Sequence, residues 1–217
     1  MSDSCQIANL ADVYDRYFAN IKQGYFIEVG AYDGYGFSNT WGLAEAGWVG
    51  ICVEPVHDLA ERCRLVHALN SVYVVESAVT DSEGIAKLFL GPNDDSPLGT
   101  LWPYNSINED FACFAANGNG IAYDPERYSM VSSVTLDTLF EKWQTDRINE
   151  RMDLVVIDVE GAELHVLNGF TWDRWKPTMI IIESNIHSEE IAKWFSFTDY
   201  KLLQNDGLNS IYVLELK

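Results

Sequence analysis

Hydrophobic positions along the chain follow two spacings that take turns. Over residues 5–22, Ile7, Leu10, Val13, Tyr14, Tyr17, Phe18 and Ile21 recur three and four apart, which predicts an amphipathic opening helix. Tyr25–Gly30 is then a short run, apolar except for Glu28, of the kind that forms a strand buried on both faces. Val49–Glu54 repeats the pattern and is stopped by Pro55. Between the two, residues 40–46 predict a short helix with Ser38 or Asn39 as its cap and Gly47 at its end. Residues 56–69 read as a helix and Ser71–Val75 as a third strand. Further on, Asp153–Val159 predicts a strand, Ala162–Asn168 a helix, Met179–Glu183 a strand and Ser188–Phe195 a helix. Tyr200–Gln204 and Asn209–Leu216 flank Asn205-Asp206-Gly207 as a hairpin. Strands alternating with helices imply an α/β fold with a mostly parallel sheet, and the hairpin adds an antiparallel strand.

The middle of the chain loses this regularity. Ile85–Leu90 reads as an added strand after a turn at Asp81–Gly84. Residues 91–130 are rich in Gly, Pro, Asn and Asp, interleaved with Trp102, Tyr104, Phe111, Phe114, Tyr123 and Tyr128. A loop region this long inside a compact unit is more often functional than idle, so 91–130 is expected to be an insertion that covers a substrate. Regular structure resumes with a strand near Val131–Val134 and a helix from Leu136 to Trp143. No repeat or linker interrupts the pattern. The 217 residues suffice for one α/β core and are short for two, so 1–217 is read as a single domain.

Charge narrows the partners. Against 33 acidic residues stand 14 basic ones, a formal charge of -19, with no cluster of Lys and Arg. Nucleic acid and anionic membranes both need a basic footprint, so neither is expected as a partner. Cys5, Cys52, Cys63 and Cys113 form no CxxC, and no His/Cys spacing suggests zinc. With no signal-like start and no long apolar run, the reading is a cytoplasmic protein in a reducing compartment, with a homo-oligomer left open.

The chemistry gathers at strand ends. Gly30-Ala31-Tyr32-Asp33-Gly34-Tyr35-Gly36 links the first strand to a helix, as in nucleotide- and cofactor-binding units. The spacing is not GxGxxG, and Glu28 and Asp33 would repel a pyrophosphate, which opposes a nicotinamide dehydrogenase. A ligand carrying positive charge suits this turn better. Glu54, ending the second strand, sits where an acid commonly binds ribose hydroxyls. Asp158, Glu160 and Glu163 crowd the end of one strand, and Glu183, Ser184 and Asn185 end the next. Asp158 or Glu160 could serve as a general base, with Glu183 nearby. Alternatively Asp158, Glu183 and Asn185 could hold a Mg2+-like ion through oxygen ligands. His165 and His187 lie near these ends, whereas His57 and His67 are expected at the surface.

In Phe26–Gly34, Val53-Glu54-Pro55, Ala78–Asp81, Val134–Asp137, Ile157–Glu163 and Ile181–Glu183, the chain resembles the FkbM-type methyltransferases. These S-adenosylmethionine enzymes mostly O-methylate small molecules and sugars. Two positions depart from the family pattern: Glu28 replaces the usual Asp, and Val156 replaces the usual Lys. The resemblance implies a Rossmann-like class I methyltransferase fold. Its mostly parallel seven-stranded sheet would carry a C-terminal antiparallel hairpin and the inserted loop region. It also implies that Glu28, Gly30, Asp33 and Gly34 border the methionine part of S-adenosylmethionine. Glu54 would hold the ribose, Ser77 and Ala78 the adenine, and Asp158 would lie near the methyl. The expected acceptor is a small molecule or saccharide. An N-methyltransferase acting on an amine or peptide, and a catalytically silent cofactor-binding module, are the competing readings.

Overall fold

The computed structural model describes residues 5–91, 104–120, 122–144 and 152–215. The chain opens with helix α1 (Leu10–Phe18), strand β1 (Tyr25–Val29), α2 (Trp41–Glu45), β2 (Val49–Val53), α3 (His57–Val66) and β3 (Val72–Val75). Then come β4 (Ala78–Val79), β5 (Gly84–Phe89), α4 (Glu109–Gly118), β6 (Tyr128–Val134) and α5 (Leu136–Gln144). The last part holds β7 (Leu154–Ile157), α6 (Glu163–Asn168), α7 (Trp172–Trp175), β8 (Met179–Glu183), α8 (Ser188–Phe195), β9 (Tyr200–Asn205) and β10 (Asn209–Leu214).

The main sheet has seven strands in the order β3-β2-β1-β7-β8-β10-β9. Its first five strands are parallel, and β10 runs antiparallel between β8 and β9. This is the α/β arrangement expected from the alternation of elements, with the Rossmann-like topology that the resemblance implies. Side chains one residue apart on a strand enter opposite layers. Ile27, Ile51, Val155 and Ile180 pack with α5, α6 and α8. Phe26, Cys52, Leu154 and Ile181 pack with α1 and α2 on the other face.

The chain leaves β1 toward β2 and β3 on one side, while β7 lies against the other side of β1. That reversal opens a crevice beyond the carboxyl ends of β1 and β7, where open α/β sheets bind ligands. Gly30 makes the crevice floor possible. Its φ is +82°, and a Cβ there would fall 1.7 Å from the Asp158 carbonyl oxygen. Any side chain would push the two strand ends apart.

Two features differ from expectation. A second, three-stranded sheet, ordered β4-β6-β5, stands beside the main one. Its strands alternate weakly and face solvent on one side, so their pattern did not separate them from the main sheet. Within the stretch expected to be loop, residues 109–118 form α4. The Asn108 side chain caps it by accepting from the Phe111 N–H, with Glu109 and Asp110 in the first turn. The glycine and asparagine content of the surroundings masked this capped, alanine-rich segment. Trp102, part of the same expectation, lies outside the described residues.

Candidate active site

The crevice is a cleft of about 880 Å³. It is bordered by the turn after β1, the ends of β2 and β7, and residues 77–79, with Gln6, Leu88, Asn105 and Ile107 completing its walls. Three non-glycine residues on its border, Tyr32, Phe37 and Glu160, hold φ values of 51°, 60° and 57°. Left-handed backbone costs bulky side chains of order 1–3 kcal/mol each, and such strain clusters at ligand sites.

Glu28, though it borders the cleft, is fully engaged. It accepts hydrogen bonds from Ser38 Oγ at 2.9 Å, Asn39 N at 2.8 Å and Thr40 Oγ1 at 2.7 Å. It ties the returning loop to β1, and Ser38 Oγ in turn caps α2 by accepting from Trp41 N at 3.0 Å. Burial pushes the Glu28 carboxyl up while these bonds pull it down.

Glu54 is buried at the end of β2. Its Oε2 accepts from Tyr32 N at 3.0 Å and its Oε1 from Val56 N at 2.9 Å. Each oxygen keeps a lone pair for a ligand hydroxyl. Burial raises its pKa to about 8 despite the two backbone bonds. Ser77 and Ala78 border the cleft beyond it, but the Ser77 hydroxyl donates to the Ser132 carbonyl at 2.9 Å, joining β4 to β6.

Asp33 and Gly34 do not border the cleft and instead shape the turn from behind. Asp33 Oδ1 accepts from Tyr35 N at 3.0 Å and Gly36 N at 2.7 Å. Gly34 lies over Cys63 and His67. The reason is local: the side-chain bonds that close the turn rotate Asp33 away from the space its charge would face.

At the neighbouring ends of β7 and β8, Asp158, Glu160 and Glu183 each offer a carboxylate oxygen, all within 4.8 Å of one another. Asp158 Oδ2 accepts from Gln6 Nε2 at 3.3 Å. Its Oδ1 and Glu183 Oε2 are buried with no partner outside the cluster. Burial, followed by the neighbouring charges, raises Glu160 to about 9 and Glu183 to about 10. Three negative charges this close are too costly, so the cluster retains protons. A proton on Glu183 bonded to Asp158 accounts for the two otherwise orphaned oxygens, and the Asp158 carboxyl is itself raised by burial.

Glu183 and Asn185 sit behind Asp158 rather than on the cleft border. Asn185 Nδ2 donates to Glu183 Oε1 at 3.0 Å, so its nitrogen faces the cluster. Glu160 stands with Asp158 and Glu183 in the cluster, and Asn185 adjoins it through Glu183. Glu163 is buried, its Oε1 accepting from Val159 N at 3.2 Å and Gly161 N at 3.0 Å. It closes the turn onto α6, and burial lifts its pKa to about 7.

Several cleft residues were not singled out from sequence. Gln6 meets Asp158 across 152 positions, a contact no local pattern announces. Ser106 Oγ donates to the Glu160 carbonyl at 2.6 Å and Asn108 Nδ2 to the Gly161 carbonyl at 2.7 Å. The segment around α4 thus holds the Glu160–Gly161 turn. Four of the aromatics in 91–130 have described surroundings. Phe111 packs on Gly161, Phe114 is exposed, Tyr123 bonds Glu109, and Tyr128 lies under Lys87. Among the described residues, Tyr32 and Phe37 are the aromatic rings at the cleft. His165 pairs with Asp81 on the surface, 3.2 Å away.

Among the described residues bordering the cleft there is no Lys, Arg or His, while Glu28, Glu54, Asp158 and Glu160 all contribute carboxylates. Such a lining favours a cationic ligand that also presents hydroxyl donors. No curated protein matches the chain. A family model, Methyltransferase FkbM domain, matches residues 28–206, from the end of β1 through β9. With that match over most of its length and a cleft at the switch point of a Rossmann-like sheet, the chain belongs to the FkbM methyltransferase family.

Proposed function

We propose that the protein is an S-adenosylmethionine-dependent methyltransferase that O-methylates a hydroxyl of a small molecule or sugar, with Asp158 as the general base. The observation that carries this reading is the acid-lined cleft without a basic residue on its described border. The donor set fits the cofactor. Glu54 has acceptor capacity left for a ribose diol, and the carboxylates suit an ammonium and a sulfonium. When bound, S-adenosylmethionine supplies an electrophilic methyl group on a positively charged sulfur.

The chain's own residues have three tasks. Glu54 orients and Gly30 admits the ligand to the strand ends. Glu183, protonated, holds Asp158 from behind while Gln6 donates to its Oδ2, so the Asp158 carboxylate is fixed in place. Asp158 then takes the proton from an acceptor hydroxyl, and its raised proton affinity makes it a stronger base than a solvated carboxylate. Tyr32 and Phe37 offer apolar surface for the acceptor at the cleft border.

A divalent ion such as Mg2+ is the second reading, favoured by the three clustered carboxylate oxygens of Asp158, Glu160 and Glu183. It would replace the retained protons and acidify the acceptor hydroxyl directly.

Calorimetry with S-adenosylmethionine, S-adenosylhomocysteine and NAD, each with and without Mg2+, tests both. Binding of the first two and not of NAD is expected. Binding of NAD alone would overturn the cofactor reading, and a strict need for Mg2+ would replace the base with the ion.

A further inference from the structure

A second cluster of ligating side chains lies under the cofactor turn, apart from the carboxylates. Cys63 in α3 and His67 at its C-terminal end are one helical turn apart and so share a face. Cys52 on β2 meets them from the sheet. Exposure is 0 % for Cys52, 0 % for Cys63 and 2 % for His67, which overturns the expectation that His67 is at the surface. Cys52 Sγ lies 3.9 Å from His67 Nε2, and one ligating atom from each of the three lies within 4.8 Å of the others. Packed thiols alone would explain two buried cysteines as small apolar side chains. Buried with them is an imidazole whose Nε2 faces Cys52 Sγ, which adds a nitrogen donor to the two sulfurs.

We propose that Cys52, Cys63 and His67 form a structural zinc site. Two thiolates and a neutral imidazole are a borderline-soft donor set that suits Zn2+, and their charges cancel the ion's, which a sealed interior requires. The Gly34 carbonyl already accepts from the His67 ring and is the backbone oxygen available as a fourth ligand. The turn is built to come this close: a Cβ on Gly34, at φ +81°, would sit 2.8 Å from Cys63 Sγ. Asn70 Nδ2 contacts His67 Nδ1 at 3.3 Å and, held by Glu45 Oε1 at 3.1 Å, fixes the ring from outside.

Loading is balanced in protons. Each thiol loses one proton to solvent as its S–Zn bond forms. The imidazole proton moves from Nε2 to Nδ1, and the Asn70 amide nitrogen, bonded to Glu45 Oε1, shifts off Nδ1. The occupied site would pin β2 and α3 to the turn between Gly30 and Gly36, and so set the floor on which the cofactor rests.

The test uses the full chain purified without chelator under reducing conditions, dialysed and supplied with zinc chloride alone. Metal analysis should find one zinc per chain. X-ray absorption at the zinc edge should show two sulfur neighbours at about 2.3 Å with nitrogen or oxygen completing the shell. Cys63→Ser and His67→Ala should lose the zinc, and Cys113→Ser should keep it. The site is refuted by a chain that takes up no stoichiometric zinc. It is equally refuted by a shell of oxygen and nitrogen without sulfur, which would move the ion to the carboxylates, or by a Cys52–Cys63 disulfide in the unreduced protein. Should the ligand variants fail to fold, the absorption spectrum of the unmodified chain decides alone. Calorimetry with S-adenosylhomocysteine on the same sample distinguishes failure of the zinc site from failure of the cofactor site.

Discussion

Two clusters of ligating side chains flank the turn after β1, and they differ in every respect that matters chemically. Asp158, Glu160 and Glu183 offer hard oxygen donors, and two of the three border an open cleft. Cys52, Cys63 and His67 offer sulfur and nitrogen, and are sealed from solvent. The first cluster holds more negative charge than its surroundings tolerate, which is the condition for moving protons or binding cations. The second is neutral as it stands and has no path for a substrate. One sheet thus gathers an acidic cluster at its strand ends and a sulfur–nitrogen cluster between β2 and α3.

The sharpest test of this contrast is Asp158→Asn, which keeps the shape and removes the base. Turnover should fall by about 10²–10⁴-fold, the range for losing a general base, while S-adenosylhomocysteine affinity stays within a few fold. Methyl-transfer rates and calorimetry on the same preparation would show it. Equal losses in both would mean that Asp158 binds the cofactor instead.

Gly30→Ala attacks the turn between the clusters. It combines a left-handed φ with a clash against backbone, so a destabilisation above about 3 kcal/mol is expected. Urea denaturation would measure it, and a near-neutral effect would mean that the β1 and β7 ends can separate cheaply.

Measured at pH 9, above the Glu54 pKa of about 8, Glu54→Ala should weaken S-adenosylhomocysteine binding by about 1.5–3 kcal/mol, the scale of hydrogen bonds to a charged group. It should leave the carboxylate cluster's behaviour unchanged, because Glu54 is bonded to Tyr32 and Val56 rather than to that cluster. Unaltered affinity would remove Glu54 from the site.

The smallest effect is in stability against pH. Folding raises Glu163 to about 7, Glu54 to about 8, Glu160 to about 9 and Glu183 to about 10. The folded state therefore binds more protons than the unfolded chain above the ordinary carboxyl pKa. Stability is full below that value and declines as pH rises toward these raised ones. Glu183→Gln removes the largest single contribution and should recover about 1–2 kcal/mol at pH 8. Thermal melts of the two proteins from pH 5 to 9, with chelator present, should diverge as pH increases. Parallel curves would mean that the cluster is already relieved of charge in the folded protein.

Much of this was written in the chain itself. Apolar runs such as Tyr25–Val29 and Met179–Glu183 marked strands to within a residue or two, because a strand buried on both faces must be almost continuously apolar. Acids at strand ends, Glu54 and Asp158, were legible for the same reason: where an apolar run meets its turn, the first polar residue stands at the sheet's edge. The cap of α4 and the two residues of β4 were too short to stand out against glycine- and asparagine-rich surroundings.

Spacing alone determined the fold class and the edge on which the chemistry sits. Tertiary structure decided which groups share a space. It turned Asp33 and Gly34 behind the turn after β1, brought Gln6 onto Asp158, gathered Glu160 with Asp158 and Glu183, and drew His67 from the expected surface to Cys52 and Cys63. Periodicity is a property of one segment and can be read along it. Juxtaposition depends on how strands register and helices dock, and the groups it joins carry no mark of one another in the sequence.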